Sequence, residues 1–252
     1  MNLTGRLDEL RLALMTLTRL PAGGLAGRLA GPAPDMGRAA WAWPLAGALV
    51  GALSALVLWV ATCLGLPPLV AALLAIGAGV IATGALHEDG LADLADGFWG
   101  GRDKARRLEI MRDSRVGSYG VLALILSVGL RIGAIAALAG HPAALIGVAA
   151  ASRALMVLPL WLLPPARTDG LGRAAGGLSG PQVAVVLLIG LAIQALFQPD
   201  RAILAFALMA VAVLALARLA RAKIGGQTGD VLGASQQVAE LTGWLVLSAA
   251  SG

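Results

Sequence analysis

His87-Glu88-Asp89-Gly90-Leu91-Ala92-Asp93-Leu94-Ala95-Asp96-Gly97 closes a long apolar run, where Leu and Ala would be expected to continue. Its aspartates fall at i, i+4 and i+7. At about 100° per residue, a helix gathers Asp89, Asp93 and Asp96 into an arc of roughly 60°, with Leu91 and Leu94 turned away. Carboxylates this close raise one another's pKa unless a cation sits among them. An all-oxygen set favours Mg²⁺ or Mn²⁺ over zinc. The competing reading is a solvated helix end just outside a bilayer.

The runs on either side of this stretch fix the fold class. Of 252 residues, 58% are hydrophobic and 13% charged, against about 25% charged in an average soluble domain. Several runs approach the roughly 20 apolar residues that span a bilayer. The expectation is an all-α, polytopic integral membrane bundle, a single membrane domain over 1–252. Residues 1–40 would form an interfacial helix and linker, and 41–252 the transmembrane bundle. An amphipathic helix is predicted over 3–20, ending at Pro21, then a linker through Gly31, Pro32 and Pro34. Spans are predicted at 41–63, 69–86, 119–139, 142–163, 181–197, 202–220 and 233–250, seven in all. Trp41 and Trp43 would open the first at interfacial depth. Arg6, Asp8, Glu9, Arg11 and Arg19 interrupt any apolar core in the first 20 residues, so no cleavable signal peptide is expected.

Charge orients this topology. All but Arg131, Arg153 and Arg201 of the 19 lysines and arginines fall in segments on the N-terminal side of the membrane. The positive-inside rule makes that side cytoplasmic and brings the acidic stretch and the 99–118 loop to it. The net charge of +5 therefore follows membrane topology and gives no support to a nucleic-acid partner. Cys63, the single cysteine, can form no internal disulfide. The small-residue spacing Gly47-Ala48-Leu49-Val50-Gly51 predicts close helix packing.

Two further constellations share that face. The loop Gly225-Gly226-Gln227-Thr228-Gly229-Asp230 leads into a helix whose N-terminus favours an anion. Gly226 and Gly229 would permit close approach to a ligand, and Asp230 could complete the metal set. Glu240 lies almost two turns into the last span, where an ionisable group is costly and usually functional. Arg112-Asp113-Ser114-Arg115-Val116-Gly117 suits phosphate recognition by guanidinium groups, although any cytoplasmic loop is basic. Arg131 and Arg153, inside spans, would reach a phosphate or pair with a buried aspartate. His87, before the metal stretch, reads as a structural hydrogen-bonding group ahead of one that ligates or orients a ligand, and His141 as a surface residue. Together these residues imply a metal-dependent reaction on a phosphorylated substrate.

At HEDGLADLADG (87–97), LEIMRDSRVGSYG (108–120) and GGQTGDVLGA (225–234) the chain resembles the cobalamin-5′-phosphate synthase family, the adenosylcobinamide-GDP ribazoletransferases. Leu17-Thr18-Arg19-Leu20-Pro21, Ser152-Arg153 and Asp169-Gly170-Leu171-Gly172 add smaller matches, so the likeness runs the length of the chain. It implies Mg²⁺-dependent joining of adenosylcobinamide-GDP to α-ribazole or its 5′-phosphate, with release of GMP, in the bacterial cytoplasmic membrane. Asp89, Asp93, Asp96 and Asp230 would hold Mg²⁺. Arg112, Arg115 and Arg153, with Gly226, Gly229 and Glu240, are the candidates for substrate and phosphate. Gln237 stands where family members often carry glutamate, which favours Glu240 over it. Glu88 stands at an often apolar position, which ranks it below the aspartates. A second copy of the chain and other cobalamin-pathway enzymes are open as partners. The rival enzyme classes are a CDP-alcohol phosphotransferase, whose Ala-Arg after the acidic motif is missing at Asp89-Gly90, and an aromatic prenyltransferase. A transporter would need repeated, broken helices that the sequence does not show.

Overall fold

A computed structural model describes residues 3–20, 35–167 and 177–249. The predicted linker at Gly31, Pro32 and Pro34 and the Asp169–Gly172 match lie outside the described residues. Apart from one parallel bridge between Pro165 and Gln227, the regular structure is helical. In chain order the helices are α1 (Leu3–Leu17), α2 (Met36–Ala39), α3 (Trp43–Cys63), α4 (Pro68–Thr83), α5 (Leu86–Gly100), α6 (Lys104–Ile110) and α7 (Ser118–Ala137). They continue with α8 (Ala144–Leu155), α9 (Val157–Leu162), α10 (Gly180–Phe197), α11 (Ala202–Ile224) and α12 (Gly229–Ser248).

Local chemistry sets the helix ends. Pro44 and Pro68 sit in the first turns of α3 and α4, where a missing N–H costs nothing. Asp103 caps α6 by accepting from Arg106 N, and Ser179 and Gln182 form a reciprocal capping box on α10. At the end of α4, Gly84 (φ 64°) takes the left-handed conformation. Ala85 follows at φ 59°, a conformation that costs an L residue roughly 1–2 kcal/mol. The two residues turn the chain through 90° between α4 and α5.

Five helical stretches among the described residues are long and apolar enough to cross a membrane: Met36–Cys63, Ser118–Ala137, Ala144–Leu162, Gly180–Phe197 and Ala202–Ile224; the bent pair α4–α5 makes up to six. These five or six stand beside an expectation of about seven, and the difference lies at α4 and α12. Helix α4 has only 16 residues before the bend, and α12 spends its core-facing positions on Ser235, Gln236, Gln237 and Glu240, all buried. Outward positions of the other helices carry apolar side chains such as Leu122, Leu126, Leu188 and Ile203, as a lipid-facing surface requires.

The tight packing expected at Gly47 and Gly51 is present. A Cβ on Gly47 would lie 2.3 Å from the Ala149 carbonyl oxygen, and one on Gly51 2.6 Å from that of Leu145. Helices α3 and α8 therefore meet backbone to backbone. Trp43 is only 2% exposed and packs into the core. Trp41 donates its indole N–H to Glu9 at 2.7 Å, which ties α1 to the start of α3. Arg19 N donates to Ala82 O at 2.6 Å, so the end of α1 rests on the α4–α5 bend.

Candidate active site

The site forms where α5 crosses α12. Gly90 and Gly233 let the two backbones touch: a Cβ on Gly90 would stand 3.0 Å from Asp230 O and 3.3 Å from Gly233 Cα. This close approach brings the exposed Asp89 and half-buried Asp93 beside Asp230. Burial and repulsion from Asp89, Asp230 and Asp96 push the Asp93 carboxyl up to about 7. Burial also raises Asp230, while Arg167, a hydrogen bond from Thr228, and Arg112 pull it back. Arg167 Nη1 lies 3.5 Å from Asp230, and its Nη2 donates to Leu108 O at 3.1 Å. No sequence motif marks Arg167; the Pro165–Gln227 bridge, visible only in the fold, brings it to Asp230.

Asp96 is committed elsewhere. Its two oxygens accept from Gly117 N at 2.7 Å and Gly120 N at 2.9 Å, and so cap the otherwise unsatisfied first turn of α7. Both glycines are needed, because a Cβ on either would strike the carboxylate within 2.5 Å. Gly226 likewise serves the chain itself. Its missing Cβ lets Gln227 N donate to Pro164 O and Ala166 N donate to Gln227 O, the bridge that carries Arg167 toward Asp230. Gly229 opens α12, behind the Thr228 hydroxyl that accepts from Val231 N. Arg115 is exposed and its guanidinium is bonded to Asp113 at 2.6 Å within its own loop.

A different polar assembly lies deeper, and it absorbs Arg153 and Glu240. Arg131 donates to Glu88 Oε1 from both terminal nitrogens at 3.2 Å. Glu240 lies 3.7 Å from Arg131 and 3.5 Å from Arg153. Gln237 donates to Glu88 at 3.1 Å, and Gln236 donates to Glu240 at 3.0 Å and to Ser152 at 3.1 Å. Two carboxylates and two guanidiniums balance, around a cavity of about 40 Å³ that His87 also lines. Glu88, ranked below the aspartates from sequence, is a principal member. Its partner is 43 residues away on α7, so no local pattern could reveal it.

The donor set at the α5–α12 crossing fits a hard cation. Among the described residues no three His, Cys, Asp or Glu side chains close around one ion position, so the carboxylates form an open face. Mg²⁺ suits such a face, since it keeps several waters and is held by one or two carboxylates plus substrate phosphate. Asp89, Asp93 and Asp230 would hold it, with Asp96 spoken for by α7.

Carboxylates that outnumber the arginines beside them, in an apolar helical bundle, fit one class of protein: a membrane-embedded transferase. Residues 9–248 match the family described as cobalamin-5-phosphate synthase. Three curated relatives bear the name adenosylcobinamide-GDP ribazoletransferase. The protein of Bradyrhizobium diazoefficiens is 48% identical over 96% of this chain and 93% of its own. That of Mesorhizobium japonicum is 44% identical over 97% and 94%, and that of Azorhizobium caulinodans 47% over 93% of each. No solved structure matches. The chain belongs to the cobalamin-5-phosphate synthase family, and is a transmembrane transferase of cobalamin biosynthesis.

Proposed function

We propose that this chain transfers the adenosylcobinamide phosphate moiety of adenosylcobinamide-GDP to α-ribazole or α-ribazole 5′-phosphate, in a Mg²⁺-dependent reaction at the cytoplasmic face of a bacterial inner membrane. The observation that carries the reading is the open carboxylate face, Asp89, Asp93 and Asp230, flanked by Arg112 and Arg167. A ribazole hydroxyl oxygen forms a bond to the phosphorus on the cobinamide side. The diphosphate bridge bond breaks, its electron pair leaves with GMP, and the hydroxyl proton is released. When bound, Mg²⁺ neutralises the diphosphate oxygens and steadies the leaving group.

The chain's own residues position and enclose. Arg167, held by Leu108 O and Asp230, presents a guanidinium whose orientation is already fixed, which lowers the cost of gripping a phosphate. Arg112 brings a second positive charge toward Asp230 from the neighbouring loop. Arg153 and Glu240, engaged with each other inside the bundle, keep α8 and α12 in register. The absence of an unpaired, mid-bundle substrate ligand among them favours a transferase over a transporter.

Purified protein given adenosylcobinamide-GDP, α-ribazole 5′-phosphate and Mg²⁺ should release GMP in step with cobalamin phosphate. GMP release without the cobalamin product, or no release from folded protein, would overturn the reading.

A further inference from the structure

A second cavity, of about 110 Å³, borders the carboxylate face and plays no part in the account so far. Its walls include Leu17, Met36, Trp43, Leu86, Met156 and Leu232, and Asp89 and Asp230 line it too. The apolar surface is of a particular kind. Two thioethers and an indole are polarisable groups that pack well on aromatic rings. His87 also lines the cavity; it is 1% exposed and its Nε2 has no hydrogen-bond partner among the described residues. Such a nitrogen can exchange a hydrogen bond with a ring nitrogen of a ligand, and it is costly to leave unmet.

None of the described residues lining this cavity is a lysine or arginine. Arg112 and Arg167 act on Asp230 instead, so a diphosphate is better matched on their side. A cavity of this size is too small for a corrin macrocycle. The matching ligand is an uncharged, flat heteroaromatic base, attached to a sugar whose hydroxyl then stands at Asp89 and Asp230.

We propose that this cavity is the subsite for the base of the acceptor nucleoside, the benzimidazole ring of ribazole, with Met36, Met156 and Trp43 as its selecting walls. The proposal rests on the transfer reading above. It gives the two substrates separate seats: the diphosphate on the arginine side of the carboxylates, the acceptor base on the α1–α3 side.

Steady-state kinetics on the detergent-purified full chain test this, with GMP as the readout and ribosides of benzimidazole and 5,6-dimethylbenzimidazole as acceptors. Met36→Trp narrows the cavity. It should raise KM for the dimethylated riboside about tenfold or more while KM for adenosylcobinamide-GDP stays within about twofold, since a methyl-sized misfit in an apolar pocket is worth roughly 10–200-fold. Met156→Ala widens the cavity, and should shift the kcat/KM preference between the two ribosides by about tenfold. An unchanged preference in both variants, or two KM values that move together, would overturn the subsite while leaving the transfer intact. No GMP from the wild-type chain with any acceptor would overturn the transfer reading itself, and the subsite with it.

Discussion

Glu88 and Asp89 are neighbours on α5, yet they serve opposite electrostatic regimes. Glu88 turns into the bundle, where Arg131 and Gln237 meet its Oε1. Asp89 turns out, onto a face where carboxylates confront one another and the arginines only partly offset them. The buried region holds as many carboxylates as guanidiniums; the open face carries a surplus of negative charge. Charge matched inside a low-dielectric bundle fixes helix register, and charge left unmatched at its edge is available for a ligand. Polarity alone therefore does not mark the site.

The sharpest way to break the comparison is to unpair the interior. Arg131→Met strands Glu88, and should destabilise the protein by about 3–5 kcal/mol, read as a fall in thermal midpoint in detergent. Adding Glu88→Leu should recover most of that loss. If Arg131→Met leaves the midpoint unchanged, the network does not hold the helices together.

A smaller effect is expected from Gly90→Ala. The new methyl would press on the Asp230 backbone at 3.0 Å and force α5 and α12 apart by a few tenths of an ångström. Overpacking of this kind costs about 1–3 kcal/mol, and turnover should fall further than stability because Asp89, Asp93 and Asp230 separate. Equal stability and full turnover would show that the crossing distance does not set the site.

The open face should also announce itself through pH. A carboxyl at about 7 in the fold and 3.8 in the unfolded chain binds more protons when folded. Stability contributed by its protonated form is present at low pH and is lost as pH rises from about 4 to 7. In EDTA the thermal midpoint should drop across that window, and Mg²⁺ should restore it most at the upper end. A midpoint indifferent to Mg²⁺ at pH 8 would remove the cation from this face. The smallest effect is reserved for Arg115→Ala, whose guanidinium is exposed and satisfied by Asp113. Its turnover should stay within about threefold of wild type.

Much of this was legible in the chain. The spacing of Asp89, Asp93 and Asp96 placed a helix and a shared face, and the loop before α12 drew Asp230 to them. What escaped was tertiary. Asp96 sits on the predicted arc, but its fate depends on where α7 begins, 21 residues on, and on two glycines that let backbone N–H groups reach it. Gly226, read as room for a ligand, is room for other backbone, as Gly90 is at the α5–α12 crossing. Hydropathy along the chain does not see the bend made by Gly84 and Ala85, nor the polar side chains turned inward on α12, and these are the two places where the number of spans is decided. Arg153 and Glu240 looked functional because charge inside a span usually is; here they meet each other.

The most direct test sets the two neighbours side by side. Mg²⁺ titrations of GMP release by Asp89→Asn and Glu88→Gln, with thermal midpoints for both, separate site from scaffold. Asp89→Asn should lose about 10²–10³-fold in turnover, the loss typical of removing one electrostatic group from a site, and require more Mg²⁺ at an unchanged midpoint. Glu88→Gln should lower the midpoint and leave the Mg²⁺ requirement as it is. Turnover that survives Asp89→Asn, or a Mg²⁺ requirement that moves with Glu88→Gln, would contradict the division on which this account rests.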